Sequence, residues 1–339
     1  MKQNSVMNHF FKYALFGVLG SLGVSCYILA DTFFISKGLG ADGLAALNIA
    51  IPAYSLIYGT GLMLGIGGAT RFSVCQSSKK TDEINKIYTN TIYTAAALSF
   101  FFFLSGLFLP HRLASFLGAN SDILETTATY LRWLLLFSPA FIFNNIFLCF
   151  IRNDHSPRLP TVAMITGNLA NIILDYIFIF PMNMGMFGAV FATGLSPVIS
   201  ILCMLVHWIK KRNSFHLIKT KLDFKIIGQE TVLGLPSLII QLSSGIVIII
   251  FNILILDLRG NTGVAAYGVI ANISLVTTSV YTGISQGTQP LISSFFGEKN
   301  AQSVKSVLKY SCLSALLISV FIYLIIYIWA DPITGIFNS

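Results

Sequence analysis

Two aspartates lie in stretches whose neighbours are almost all apolar: Asp31 in CYILADTFFISKG and Asp175 in NLANIILDYIFIF. A carboxylate inside a bilayer costs at least a few kcal/mol, so one retained there is a candidate for carrying an ion or a proton. Asn168, Asn171 and Asp175 recur at i, i+3 and i+7, which puts them on one face of a helix as a polar stripe. Thr193, in GAVFATG, adds a hydroxyl to this inventory. Two carboxyls gathered in a low-dielectric pocket oppose double ionisation, so such a pair is suited to exchanging a proton, or to holding Na⁺ between Asp31 and Asp175. The structural alternative is a helix-end residue that reaches the headgroups or hydrogen-bonds a neighbour, although a short Asp cannot reach far. For Asn168 and Thr193 packing is as good a reading as function. Gln241, Gln286 and Gln289 are secondary polar candidates, and Gln241, with Asn252, Asn144 and Asn145, reads more readily as glue between helices.

Other chemistries find no support. There is no GxxxxGK[ST] loop for ATP and no HExxH or paired Cys/His metal spacing. Asp154 and His155 fall in a loop without a third partner, so an enzyme is not expected and no cofactor is implied. The five cysteines, Cys26, Cys75, Cys149, Cys203 and Cys312, are scattered along or beside apolar segments and read as free packing thiols.

The elements that must position these residues follow from composition. Of 339 residues 55% are hydrophobic and only 10% charged, with a mean hydropathy of +0.77, whereas soluble domains carry roughly a quarter charged residues. The apolar residues fall in blocks long enough for a helix to cross hydrocarbon, which takes about 20 residues. Nine spans are expected, at about 12–36, 45–70, 87–110, 130–151, 158–181, 186–208, 228–256, 264–290 and 307–330, an all-α polytopic bundle. The N-terminus runs into the first span without a small-residue cleavage site, as a retained signal-anchor does. With the N-terminus placed in the cytoplasm, 17 of the 21 Lys and Arg fall on the cytoplasmic side. The net charge of +8 is thus a topology signal, and no nucleic-acid partner is implied. Membrane lipids are the expected surroundings, and nothing in the sequence sets an oligomeric state. At ~1.5 Å per residue, Asp31, Asp175 and Thr193 lie roughly 7, 9 and 10 Å below the outer ends of their spans, at one level.

Sliding the chain on itself by 220 positions aligns Gly43-Leu44-Ala45-Ala46 with Gly263-Val264-Ala265-Ala266, Gly67 with Gly287, Ser73 with Ser293 and Lys79 with Lys299. Six spans separate the copies, so both face the same way, as in a parallel repeat. The expected organisation is a first lobe of six spans, 1–215, and a partial second lobe of three, 216–339. Nine spans would leave the C-terminus outside, and three further helices are expected in a complete second lobe.

Several stretches, in order along the whole chain, resemble the multidrug and toxic compound extrusion (MATE) family, in particular its MepA-like and DinF-like members. They are Asp31-Thr32-Phe33-Phe34, Gly38-Leu39-Gly40, Leu44-Ala45-Ala46-Leu47-Asn48, Ile151-Arg152-Asn153-Asp154, Asn171 to Phe180, Gly188 to Thr193, and Gly283-Ile284-Ser285-Gln286-Gly287-Thr288-Gln289-Pro290. The resemblance implies two six-helix lobes around a cavity, with spans 10 to 12 absent from this chain. It also implies a cation pocket at Asp31, Asn171, Asp175 and Thr193, with Asp31 as the protonation switch and Asp175 and Asn171 coupled to it. The expected function is secondary antiport, exporting cationic, drug-like small molecules against H⁺ or Na⁺. A flippase for lipid-linked sugars shares the span pattern, but its anionic cargo calls for basic residues deep in the cavity, and Arg132 and Arg259 sit near span ends. The third expectation, from the missing spans, is a truncated membrane protein that transports nothing.

Overall fold

In a computed structural model the protein is built of helices, and residues 3–328 are described. The end of the ninth expected span, at 330, and the closing Phe337-Asn338-Ser339 lie outside the described residues. So do the side chains of Asn252 and Arg259 and the repeat match at 263–266.

α1 (Gln3–Ser77) carries the first two expected spans and folds back on itself at Gly40. There φ is 69° and ψ −157°, a conformation that glycine reaches without a Cβ clash. α2 (Thr81–Phe108) is the third span, and Pro110, unable to continue a helix, starts the short α3 (Pro110–Phe116). The fourth expected span is two helices, α4 (Leu124–Leu136) and α5 (Ser138–Asn153), bent by 46°. Pro139 sits in the first turn of α5, so its ring breaks the run at Phe137 rather than being absorbed within one helix. α6 (Arg158–Ile179) is the fifth span, and α7 (Gly185–Met204) with the short α8 (Val206–Ile209) the sixth. α9 (Phe224–Gly297) holds the seventh and eighth, and α10 (Ala301–Ile328) the ninth.

α9 must also reverse. Glu230 near its start and Gly297 at its end lie against Gly67 and Val74, both close to the same end of α1. Among the described residues, and counting each of these long helices once, six helices are long and apolar enough to cross a membrane, or seven with the bent pair. Exposed side chains such as Phe100, Phe101, Leu169, Ile173, Leu316 and Phe321 give the bundle an apolar exterior, as a lipid-facing surface requires.

The strap between α8 and α9 is pinned to α2: the N–H groups of His216, Ile218 and Asp223 donate to Asn85, Thr89 and Asn90. Phe215 anchors it, fully buried among Phe72, Tyr88, Phe150 and Trp208. Asp223 then caps α9, accepting from the N–H groups of Lys225 and Ile226.

The 220-residue repeat is visible in backbone detail. Lys79 and Lys299 both turn to positive φ, 61° and 56°. Their N–H groups donate to Gln76 and Phe296, and those of Lys80 and Asn300 to Cys75 and Phe295, each pair offset by the same 220.

Candidate cation site

α6 is polar on the inside. Asn168, Asn171 and Asp175 are buried, the last two completely, while Leu169, Ile173 and Tyr176 on the opposite face are exposed. This reverses the amphipathic pattern of a surface helix in water. The α1 limb before Gly40 brings Asp31 to this stripe, so that the Asp31 and Asp175 carboxyls stand side by side. Asp31 is 6% exposed and Asp175 0%. Thr193 of α7 is buried, and its hydroxyl donates to Ala189 O at 3.1 Å.

Asp31 Oδ1, both Asp175 oxygens, Asn171 Oδ1 and Nδ2, and Asn168 Nδ2 make no hydrogen bond of regular geometry to the protein. Buried polar atoms are nearly always satisfied, so such a cluster calls for a ligand that satisfies it. Two carboxyls, an amide and a hydroxyl are hard oxygen donors. That set fits a small cation or a proton shared between the carboxyls, and is too poor in nitrogen and sulfur for a transition metal. Among the described residues no three His, Cys, Asp or Glu side chains group as metal ligands.

Sequence reasoning missed the aromatic wall. Tyr130 of α4, buried, has its hydroxyl beside both carboxyls and Thr193. Tyr27 and Tyr54 of α1 share a 2.7 Å hydrogen bond next to Asp31, with Tyr58 alongside. Tyrosines are common at membrane helix ends, so only the fold distinguishes these. Tyr27, Tyr54 and Tyr58, with Asn168, Thr193, Ser196 and Ser200, line a cavity of about 40 Å³, room for a few water molecules.

The secondary candidates other than Asn168 lie elsewhere. Gln241 packs where α9 crosses Gly59. Gln286 accepts from Arg152 Nη1 at 3.3 Å, and Gln289 donates to Thr70 at 2.7 Å and accepts from Asn153 at 2.9 Å. They tie α9 to α1 and α5 and do not join the acid pair. Asp154, expected to lie with His155 in a loop without a third partner, has several. It pairs with His207 at 2.9 Å and accepts from Ser214 Oγ at 2.5 Å, Ser214 N at 3.0 Å and Gln76 at 3.2 Å. Ser214 bonds the carboxylate and not the imidazole. Burial opposes the charge of Asp154, but the hydrogen bonds from His207, Ser214 and Gln76 outweigh it and hold the carboxyl below its ordinary value.

A helical bundle with an apolar exterior is the architecture of a polytopic membrane protein. The MatE family model matches residues 18–177 and 236–339, and the chain belongs to that family of multidrug efflux transporters. It is 24% identical over 340 residues to the multidrug export protein MepA of Staphylococcus saprophyticus, spanning 100% of this chain and 75% of MepA. The MepA of Staphylococcus aureus strain MRSA252 gives the same figures. In fold it is similar to an outward-facing multidrug resistance MATE transporter of the MOP superfamily (TM-score 0.90, 23% identity, 97% of this chain and 73% of that one). It is also similar to a MOP superfamily transporter from Pyrococcus furiosus (TM-score 0.87, 24% identity, 97% and 73%).

Proposed function

We propose that the protein is a secondary antiporter of a bacterial plasma membrane, exporting cationic amphipathic compounds in exchange for H⁺ or Na⁺ bound at Asp31 and Asp175, with Asn171 and Thr193 completing the pocket. The observation that carries this reading is the acid pair, sealed from water yet with three of its oxygens unpartnered. The bias of 17 of 21 Lys and Arg toward one face supports a cytoplasmic N-terminus. The regions 1–215 and 216–339 then act as two lobes whose contact alternates between faces. Cargo chemistry is supported by the relatives' names as multidrug export proteins. The tyrosine wall agrees, because aromatic faces attract cations.

Coupling works by exclusion. A cation at the pair neutralises charge that a low-dielectric bundle opposes, and an organic cation held nearby competes with it through the same field. Expressed in bacteria lacking their own drug exporters, the protein should lower ethidium accumulation, and Asp31→Asn should restore it to the level of cells without exporter. Ethidium export by Asp31→Asn equal to that of the parent would refute the reading.

A further inference from the structure

A fourth buried carboxyl lies outside the acid pair and the Asp154 cluster. Glu230, in the second turn of α9, is 0% exposed. Its Oε2 accepts from Thr91 Oγ1 of α2 at 3.1 Å, and its Oε1 has no partner. It sits on the seam where α9 meets α1, and the backbones there are in close contact: a Cβ added at Gly67 would stand 2.0 Å from Glu230 O. Arg71, one turn further along α1, is the charged group that acts on it. Arg71 Nη1, however, donates to Ile226 O at 3.4 Å, and no ion pair with Glu230 forms.

The repeat shows that packing does not demand a carboxyl here. In the first copy the close backbone contact at Gly287 is made by Tyr13, as Glu230 makes it at Gly67, so Tyr13, buried in a cluster with Phe10, Leu291 and Phe295, stands where Glu230 stands. One copy seals its seam with a tyrosine ring and the other with an acid. An ionised carboxylate with an unpartnered oxygen, sealed between helices, is an uncompensated buried charge, so the closed seam and the ionised side chain exclude one another.

We propose that Glu230 is a second proton-carrying site that locks the α1–α9 seam: closed with the proton on, and open to water once the proton has left. On opening, the carboxyl O–H bond breaks, the proton passes to water at the parted seam, and the carboxylate remains beside Arg71. The inference rests on the reading of two lobes that part at this end, and it is separable from the acid pair.

The test uses the full chain with its five native cysteines replaced by alanine or serine, carrying nitroxide labels at Lys80→Cys and Glu298→Cys, both exposed at the seam's end. Ser78 Oγ donates to Gly297 O at 3.2 Å, so the labels start close. Between pH 6 and pH 9 the parent should gain a longer label distance. Glu230→Gln and Glu230→Leu, neither of which can ionise, should stay closed throughout, and Asp31→Asn should open like the parent. Unchanged opening in both Glu230 variants, or no opening in the parent, would overturn the proposal. Opening lost in Asp31→Asn and kept in both Glu230 variants would also overturn it while leaving the exporter reading intact.

Discussion

At the scale of single residues, what matters is how each buried charge is compensated. Asp154 and the Asp31–Asp175 pair are opposite cases: the first is surrounded by donors from His207, Ser214 and Gln76, the second is left with bare oxygens. A carboxyl held below its ordinary value stabilises the fold above about pH 4 and loses that contribution as pH falls further. Asp154→Ala should therefore lower stability by about 3 kcal/mol at neutral pH, since it leaves His207 and Ser214 without their acceptor. Thermal unfolding in detergent checks this, and Asp154→Asn should weaken the loss of melting temperature on acidification from pH 5 to pH 3. An unchanged acid profile would show that the cluster carries no charge. The legibility of these groups in the sequence differed for a physical reason. Asp31 and Asp175 stand out because a lone acid deep in an apolar run has no local explanation. Asp154 and His207 are 53 positions apart in loop-like or helix-end sequence, and only the fold joins them. Glu230 was hidden by lying at the margin of its span, where acids are unremarkable.

At the scale of elements, the stripe of α6 was readable because helical periodicity alone sets which residues share a face. The reversal at Gly40 coincides with the break between two apolar blocks, whereas the bend at Phe137 falls inside one block and is set by Pro139 alone. The α1–α9 seam depends on small residues, which sequence shows only as scattered glycines. A Cβ at Gly234 would stand 1.8 Å from Met63 O, and one at Gly283 2.5 Å from Val18 Cα. Without a hydrophobic drive between helices in lipid, such close approach is a principal source of association. Gly234→Val should force the seam apart, destabilising the closed form by about 1–3 kcal/mol. Labels at positions 80 and 298 should then report the longer distance even at pH 6. A short distance retained there would mean that α9 holds its place without that contact.

At the scale of the whole molecule, the charge bias, the repeat and the seam all concern the same end of the bundle. The contacts between α1 and α9 run from Val74 and Gly67 to Ser55, which meets Gly245, and to Ser25, which meets Ser279. The acid pair sits beyond them, toward the Gly40 end. If the basic end faces the cytoplasm, these close contacts shut that side, and Tyr27, Tyr54 and Tyr58 lie on the cytoplasmic side of Asp31. The repeat was legible as a few aligned residues, but its meaning came from the turns at Lys79 and Lys299, whose hydrogen bonds match one for one. The central claim is that cargo and coupling cation compete through Asp31 and Asp175. Ethidium added to the purified protein in weakly buffered detergent, followed by a pH-sensitive dye and by release of radiolabelled Na⁺, measures that competition directly. Binding should displace a proton or a Na⁺ from the parent and nothing from the Asp31→Asn, Asp175→Asn double variant. Ethidium binding without any displacement from the parent, or displacement that survives in the double variant, would contradict it.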